Sequence, residues 1–294
     1  MKLILPFLSL AVLTLCTSCQ PRTVIAERDV VYGTSNGQTL RLDVYRPATP
    51  AAAPRPAVVF VHGGGWGAGD KREFTDGARG LAQQGCVAFS VNYRLARAGR
   101  SPWPAQLDDV QRAVRWIRAN AQKYGADPRR VGAVGFSAGG HLVACLAARE
   151  TRDNSDPALA AFSSRVTCAV DMSGPVDLVA SDNPQADGII ANLLGGRNAD
   201  LPGLARDASP ILFVDAQTAP VFIVHGRKDE LVAVRHAEQF EAALRRAGVE
   251  TRALIFDDEG HGLSNKANAE RMIRESLAFL ESHLKGQAEH PQGL

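Results

Sequence analysis

Ser137 lies in a segment whose spacing predicts a catalytic nucleophile. It is the central residue of Gly-Phe-Ser-Ala-Gly, residues 135–139. An apolar run typical of a β-strand precedes the segment, and an alanine-rich stretch typical of a helix, residues 138–149, follows the serine. A serine at such a tight strand-to-helix turn holds its hydroxyl above the edge of the sheet, where it can attack a substrate. The alternative is an ordinary turn that carries a surface serine.

A serine nucleophile needs a base that takes its proton, and His261 is the best candidate for that base. Four of the seven histidines follow Asp229 in the chain. Three of these four lie in predicted helices or in the C-terminal tail (His236, His283 and His290). His261 instead stands between two glycines, in a loop that directly follows the last predicted strand. A loop of this kind can bring the imidazole ring over the serine.

Asp229 is the candidate for the acid that orients this histidine and favours its charged form. It follows the predicted strand of residues 221–224, in a loop before a helix. Four competing aspartates share the histidine's loop or lie in an irregular segment without a strand to position them (Asp257, Asp258, Asp207 and Asp215). The chain order serine, aspartate, histidine is the order expected for a nucleophile on a strand-to-helix turn. The alternative role for Asp229 is to cap the helix that follows.

Three consecutive glycines, residues 63–65, follow another predicted strand, residues 57–61. Attack on an ester carbonyl puts negative charge on its oxygen, and backbone N–H groups free of side chains can stabilise that charge. Ala138, directly after the serine, supplies a further N–H group. The alternatives for the glycines are a tight turn or an anion-binding nest. Neither of the two common glycine-rich phosphate-binding motifs is present.

The elements that must hold these residues alternate between strand and helix patterns over most of the chain. This alternation predicts an α/β fold with a mostly parallel, doubly wound sheet, in which functional residues collect at the carboxyl ends of the strands. Residues 30–32 and 39–45 alternate apolar and polar side chains, which predicts an antiparallel hairpin at the sheet edge. Residues 102–124 form the longest helical pattern, whereas residues 177–219 are irregular with one short helical candidate at residues 189–194.

The composition is that of an ordinary globular protein of 294 residues, long enough for one large α/β domain. A net charge of +2 without a basic cluster gives no reason to expect a nucleic-acid partner. Three cysteines lie beyond the N-terminal region (Cys86, Cys145 and Cys168). They lack metal-ligand spacing, and we expect them to be buried and to pack as small apolar side chains. Three further histidines are expected to be structural hydrogen-bonding residues (His62, His141 and His225).

The N-terminus predicts export. Lys2 is followed by an apolar stretch, residues 3–15, which is too short to span a bilayer comfortably and is typical of a signal peptide. Small residues before Cys19 resemble a bacterial lipoprotein cleavage site, so we expect a signal peptide at residues 1–18 and a lipid on Cys19. A membrane contact is expected only through that lipid. The alternative is ordinary signal-peptidase cleavage, which leaves a soluble periplasmic or secreted protein.

The remaining domain bounds follow from these patterns. We expect a linker at residues 19–27, a folded domain at residues 28–285 and a flexible tail at residues 286–294.

Several motifs occur together in one order, and the combination resembles the α/β-hydrolase superfamily. They are His-Gly-Gly-Gly-Trp at 62–66, Asn-Tyr-Arg-Leu at 92–95, Gly-Phe-Ser-Ala-Gly-Gly-His at 135–141, His-Gly-Arg-Lys-Asp at 225–229 and Gly-His-Gly at 260–262. Within the superfamily, residues 58–284 are similar to the hormone-sensitive-lipase-like carboxylesterases and to the bacterial feruloyl and acetyl-xylan esterases.

This resemblance implies roles for named residues. It implies a catalytic triad of the serine, aspartate and histidine described above (Ser137, Asp229 and His261). It implies an oxyanion hole made by backbone N–H groups of the glycine run and of the residue after the serine (Gly64, Gly65 and Ala138). No metal or organic cofactor is expected. Trp66 and Tyr93 can line an acyl or sugar pocket, or they can be packing residues beside the glycine turn.

One departure from the hormone-sensitive-lipase relatives bears on the substrate. Those relatives carry a sizeable helical cap, whereas here only edge strands and a proline- and alanine-rich loop precede the glycine run. We therefore expect little or no cap and an open site, which suits an acyl group on a large polymer. The expected function is hydrolysis of short acyl esters, acetyl or feruloyl, on plant polysaccharide or a small molecule. The alternatives are an arylformamidase or other amidase of the same fold, and a catalytically silent envelope binding protein.

Overall fold

The computed structural model describes residues 22–97, 99–180 and 182–285, and within these ranges the chain forms an eight-stranded sheet. The strands are β1 (Val24–Ser35), β2 (Gln38–Pro47), β3 (Arg55–Val61), β4 (Val87–Val91), β5 (Ala126–Phe136), β6 (Cys168–Met172), β7 (Val221–Gly226) and β8 (Thr251–Phe256). Across the sheet their order is β1-β2-β4-β3-β5-β6-β7-β8. β2 pairs antiparallel with β1 and with β4, and the other neighbouring pairs are parallel. The predicted α/β class and antiparallel edge hairpin are confirmed.

Helices cover both faces of the sheet. In the described residues the α-helices are α1 (Thr75–Gln84), α2 (Ala105–Ala119), α3 (Ala121–Tyr124), α4 (Ala138–Ala148), α5 (Pro184–Leu194), α6 (Pro202–Asp207), α7 (Arg235–Arg246) and α8 (Lys266–Leu284). Short 3₁₀ helices lie at Lys71–Phe74 and Pro210–Phe213. Apolar side chains fill the space between the sheet and the helices on each face.

The strands and the helix that position the serine are deeply buried. Every residue of β4 and of α4 is buried, and so are the last five residues of β3. Two of the α4 glycines allow this close packing. A Cβ on Gly139 would collide with the Val61 carbonyl oxygen, and one on Gly140 would collide with the Asp171 carboxylate. The continuous apolar runs of the sequence therefore correspond to central strands that are covered on both faces.

The first strand is longer than the sequence pattern predicted. β1 begins at Val24 rather than at residue 30, and Val24 pairs with Pro47 across the hairpin. Residues 24–27, placed in a linker from the sequence, therefore belong to the sheet. Most side chains of β1 are exposed or half-buried because it is an edge strand. An edge strand of this kind lacks the regular apolar alternation that identifies half-buried strands.

Two helix bounds also differ from the sequence expectation. Residues 102–124 contain two helices, α2 and α3, with Asn120 between them. The helical candidate at residues 189–194 is the second half of α5, which begins at Pro184. Asn183 fixes that earlier start because its side chain accepts hydrogen bonds from the Gln185 and Ala186 N–H groups, at 3.0 and 2.9 Å.

Three cysteines of the folded domain are free thiols. Cys145 and Cys168 are buried as expected, and burial raises the pKa of each to about 12. Cys86 is only half-buried.

The predicted signal peptide, the predicted lipidation site at Cys19 and the C-terminal tail lie outside the described residues. Among the residues that the structure describes, no helix has both the length and the apolar character of a membrane span.

Candidate active site

Ser137 lies on a sharp turn between β5 and α4. Its backbone has φ 56° and ψ −120°, a conformation that costs energy for a residue with a side chain. The turn depends on the glycines on either side. A Cβ on Gly135 would collide with the carbonyl oxygen of Gly139, and a Cβ on Gly139 would meet the end of β3. The geometry is that of the strand-to-helix turn which the sequence predicted.

The structure brings Ser137, His261 and Asp229 together from the ends of three parallel strands. The Ser137 hydroxyl lies 2.9 Å from His261 Nε2, and His261 Nδ1 lies 2.8 Å from Asp229 Oδ2. Because a carboxylate oxygen only accepts hydrogen bonds, Nδ1 carries the proton and donates a hydrogen bond to Asp229. The lone pair of Nε2 then faces the serine hydroxyl, which is the arrangement that a general base requires.

Asp229 is held as an anion in an enclosed position. Its side chain has no exposed surface, and Oδ1 accepts hydrogen bonds from the N–H groups of Leu231 and Val232, at 2.9 and 2.8 Å. Burial alone raises the pKa of this carboxyl, but hydrogen bonds from His225, His261 and the Val232 N–H outweigh it. The pKa of Asp229 therefore lies well below its usual range. The N-cap residue of α7 is Val234, so Asp229 does not cap that helix.

The glycine run passes beside the serine. A Cβ on Gly63 would lie 3.4 Å from the Ser137 Cβ. Gly64 and Gly65 have φ values of +96° and +56°, a region in which glycine is far less strained than other residues. Ala138 is the first residue of α4, where a helix N–H has no helical carbonyl to bind. The glycine run and the start of α4 thus lie next to Ser137, and the oxyanion hole stays a prediction.

The chain's similarity to known proteins points to one family. The family model described as BD-FAE matches residues 42–244. The chain belongs to the BD-FAE family. Esterase LipQ of Mycobacterium tuberculosis (strain ATCC 25618 / H37Rv) is 33% identical to it over 231 residues, which make up 76% of this chain and 53% of LipQ. The chain thus spans about half the length of this curated relative.

Solved structures agree with the family assignment. A truncated carbohydrate esterase from gut microbiota superposes with a TM-score of 0.76 at 26% identity, covering 90% of this chain and 97% of that one. An acetyl ester-xyloside bifunctional hydrolase from Caldicellulosiruptor lactoaceticus gives a TM-score of 0.73 at 28% identity, covering 84% of this chain and 89% of that one. Together with the sheet order, these similarities establish the α/β-hydrolase fold. The esterase-branch resemblance seen in the sequence is confirmed.

Trp66 and Tyr93 support the glycine run in this BD-FAE chain. Both are buried, with 2% and 4% of their surface exposed. Trp66 Nε1 donates a hydrogen bond to His141 Nδ1 at 3.1 Å, and the Tyr93 hydroxyl donates to the carbonyl oxygens of His62 and Gly63, at 3.0 and 3.1 Å. Their polar groups are therefore bound within the protein. Of the two roles that the sequence left open, these contacts favour packing.

Two of the histidines expected to be structural have that role. His62 Nδ1 lies 2.9 Å from the Gly63 carbonyl oxygen, and His141 Nε2 lies 2.7 Å from the Ala208 carbonyl oxygen. Burial lowers the pKa of each ring to about 4, so both are neutral at physiological pH. His225 differs from them because its ring contacts Asp229.

Glu259 supports the histidine loop, and sequence reasoning missed it. Its buried carboxylate accepts hydrogen bonds from Ser264 N–H at 2.8 Å, Ser264 O–H at 2.9 Å, Asn265 N–H at 2.9 Å and the Asn268 amide at 2.9 Å. Its carbonyl oxygen accepts one from the Lys228 N–H at 2.8 Å. The loop that carries His261 is thereby tied both to the start of α8 and to the loop that carries the acid. No local motif marks such a carboxylate.

Helix α5 lies over the glycine run, and the sequence did not predict this contact. A Cβ on Gly65 would lie 2.9 Å from Ile189 Cγ2. Asn192 Nδ2 donates a hydrogen bond to the Ala96 carbonyl oxygen at 2.6 Å, which joins α5 to the segment beside the glycines. Ile189 therefore limits the space next to a predicted oxyanion donor.

A metal centre has no support in the described residues, which contain no group of three or more histidine, cysteine, aspartate or glutamate side chains able to hold a metal ion.

Proposed function

We propose that this BD-FAE chain is a serine carboxylesterase in which Ser137, His261 and Asp229 are the catalytic residues. The observation that carries the proposal is the hydrogen-bonded relay, 2.9 Å from the serine hydroxyl to His261 and 2.8 Å from His261 to the aspartate. Family membership supports it, and so does the similarity to LipQ, which is named an esterase.

In the proposed first half-reaction, Ser137 Oγ attacks the ester carbonyl carbon while His261 Nε2 takes the hydroxyl proton. The carbonyl oxygen becomes an oxyanion, which the N–H groups of Gly64, Gly65 and Ala138 stabilise. The carbon–oxygen bond to the leaving alcohol then breaks, and His261 returns the proton to that alcohol. The product is an acyl ester of Ser137.

The second half-reaction repeats these steps with water as the nucleophile. His261 takes a proton from water, the hydroxide attacks the acyl carbon, and the bond to Ser137 Oγ breaks as the serine recovers its proton. The carboxylic acid is released. Asp229 keeps its negative charge throughout and stabilises the imidazolium that forms in each half. Losing one oxyanion donor typically lowers turnover by about 10²–10³-fold.

The proposed substrates are short acyl esters, acetyl or feruloyl, carried on plant polysaccharide. Ile189 limits the space beside Gly65, a proposed oxyanion donor, which supports a small acyl group such as acetyl. One structural neighbour is named a carbohydrate esterase, and another is named an acetyl ester-xyloside bifunctional hydrolase. We further propose that the protein is exported, with a signal peptide at residues 1–18 and a lipid on Cys19.

The proposal is tested with p-nitrophenyl acetate, butyrate and octanoate, and with Ser137→Ala beside the unaltered protein. We expect acetate release to be fastest and to be lost in Ser137→Ala. Ser282→Ala is the matched control, because this exposed α8 hydroxyl contacts only residues of its own helix, the Phe279 carbonyl oxygen at 2.8 Å and His283 Nδ1 at 3.0 Å. Equal rates in the wild type and Ser137→Ala would refute the serine mechanism.

The substrate class is tested next on acetylated xylan, feruloylated xylan and p-nitroacetanilide. Release of acetate or ferulate from xylan supports the polysaccharide assignment. Faster cleavage of the anilide than of the matching ester would favour the amidase alternative instead.

A further inference from the structure

His225 is a buried histidine that the proposed mechanism does not use. It lies in β7, and its side chain is 1% exposed. Its Nε2 lies 2.8 Å from the Val232 carbonyl oxygen and 3.3 Å from Asp229 Oδ2. Because a carbonyl oxygen only accepts hydrogen bonds, the ring carries a proton on Nε2. This N–H is directed at both oxygens.

Two histidine rings therefore share one oxygen of the acid. Asp229 Oδ2 receives the His261 N–H at 2.8 Å and the His225 N–H at 3.3 Å. The other oxygen receives the two backbone N–H groups of Leu231 and Val232. With four donors, the carboxylate has little freedom to rotate. The negative charge on Oδ2 is divided between the two rings.

The carboxyl groups around His225 favour its protonated form and so strengthen its hydrogen bond to Asp229. Burial lowers the pKa of the ring, but hydrogen bonds to Asp229 and to the Val232 carbonyl outweigh it, so the pKa is raised. Asp171, in the neighbouring strand β6, also raises it. Burial raises the pKa of Asp171 itself to about 6. Asp229, in contact, and Asp171, on the neighbouring strand, are thus the carboxyl groups that act on His225, and His261 is the other titratable ring on Asp229.

We propose that His225 is a positioning residue that sets the strength of the hydrogen bond between Asp229 and His261. This inference rests on the function proposed above. The His225 N–H holds Oδ2 in place and takes part of its negative charge. Without that donor, more of the charge acts on His261 and favours its protonated form. His261 then remains protonated, and unable to act as a base, up to a higher pH.

The test compares the pH dependence of kcat/KM for p-nitrophenyl acetate in His225→Phe and His225→Gln. The phenylalanine keeps a planar ring without a donor, whereas the glutamine keeps an N–H donor. We expect the acid limb of His225→Phe to move to higher pH by about half a unit, which is less than the roughly one to three units that a full opposite charge at this distance produces. His225→Gln should stay close to the wild type. His283→Phe, a histidine of α8 remote from the relay, is the control and should not shift.

Two outcomes would overturn the proposal: an unmoved acid limb in folded His225→Phe, or an equal shift in His225→Gln. A histidine that only supports the fold would lower activity without moving the limb. Circular dichroism establishes whether each variant is folded.

If the His225 variants do not fold, a second measurement on the wild-type protein and Asp229→Asn still tests the proposal. Nitrogen-15 NMR of labelled histidines should show the His225 proton on Nε2, with a resonance that moves in Asp229→Asn. An Nε2 without a proton, or a resonance insensitive to Asp229→Asn, would contradict the proposal. Failure of the esterase proposal can be told apart from failure of the His225 proposal. The first would appear as wild-type activity in Ser137→Ala and would leave the NMR result for His225 unchanged.

Discussion

Replacing Glu259 by glutamine should loosen the histidine loop without touching the reacting atoms. Glu259 is 1% exposed, and each of its two oxygens accepts two hydrogen bonds. A glutamine keeps the shape but turns one oxygen into an NH₂ group. On either side, that group would face a backbone N–H, of Ser264 or of Asn265, and at least one buried donor would lose its acceptor.

The magnitude follows from that loss. One unsatisfied buried donor costs about 1–3 kcal/mol, and a hydrogen bond to a charged group contributes about 1.5–3 kcal/mol. We therefore expect Glu259→Gln to lower the free energy of unfolding by roughly 2–4 kcal/mol. Because the affected loop carries His261, we also expect kcat to fall by about 10- to 100-fold, with little change in KM.

Urea unfolding and steady-state kinetics measure both effects. Glu270→Gln is the matched control, because Glu270 is a partly exposed glutamate of α8, the helix that follows the histidine loop, and its carboxylate lies 3.8 Å from Lys266 Nζ. A Glu259→Gln variant with wild-type stability and wild-type kcat would refute the argument.

The pH dependence gives a second check on Glu259. Burial raises the pKa of this carboxyl, but its hydrogen bonds outweigh that effect and hold the pKa below the usual value. A carboxyl with a depressed folded pKa contributes stability above its unfolded pKa, near 4.3, and loses it as the pH falls through the folded value. The difference in unfolding free energy between wild type and Glu259→Gln should therefore be largest near neutral pH and shrink in acid. A difference that grows in acid would contradict this reasoning.

Three further predictions concern the site itself. Asp229→Asn should lower kcat for p-nitrophenyl acetate by up to about 10⁴-fold, because the amide favours the wrong tautomer of the histidine. A loss under tenfold would contradict the role of the acid. Ile189→Ala should raise kcat/KM for the octanoate ester relative to the acetate ester by roughly tenfold, and an unchanged ratio would show that Ile189 does not limit acyl length. Gly139→Ala should lower the unfolding free energy by about 2–3 kcal/mol, because its Cβ would collide with the Val61 carbonyl oxygen, and wild-type stability in a urea titration would count against the observed packing of the turn.

The central strands and the three candidate site residues were predictable because each has a local signal. Apolar runs mark strands buried on both faces, and glycines mark the turn at Ser137. Their positions in loops after the last two predicted strands then select Asp229 and His261 from their competitors, and the chain order agrees with that choice. The structure brings these three side chains within hydrogen-bond distance.

Contacts between distant segments were not predictable from local pattern. His225 and Glu259 act on the relay through side-chain contacts that depend on how β7, β8 and α8 pack. Ile189 comes from α5, more than a hundred residues after the glycine it covers. The edge strand is a different case, because residues 24–27 in β1 are half-buried or exposed and show no alternation of apolar and polar side chains. In each instance the missing information is the tertiary packing.

Covalent labelling of the serine tests the central claim most directly. The protein is treated with a fluorophosphonate, which reacts with activated serine hydroxyls, and the adduct is located by peptide mass spectrometry. The account predicts one adduct per chain, on the peptide that contains Ser137, with loss of esterase activity in proportion to labelling. It also predicts no adduct in Ser137→Ala. Labelling at another serine, or full esterase activity in the labelled protein, would contradict the account.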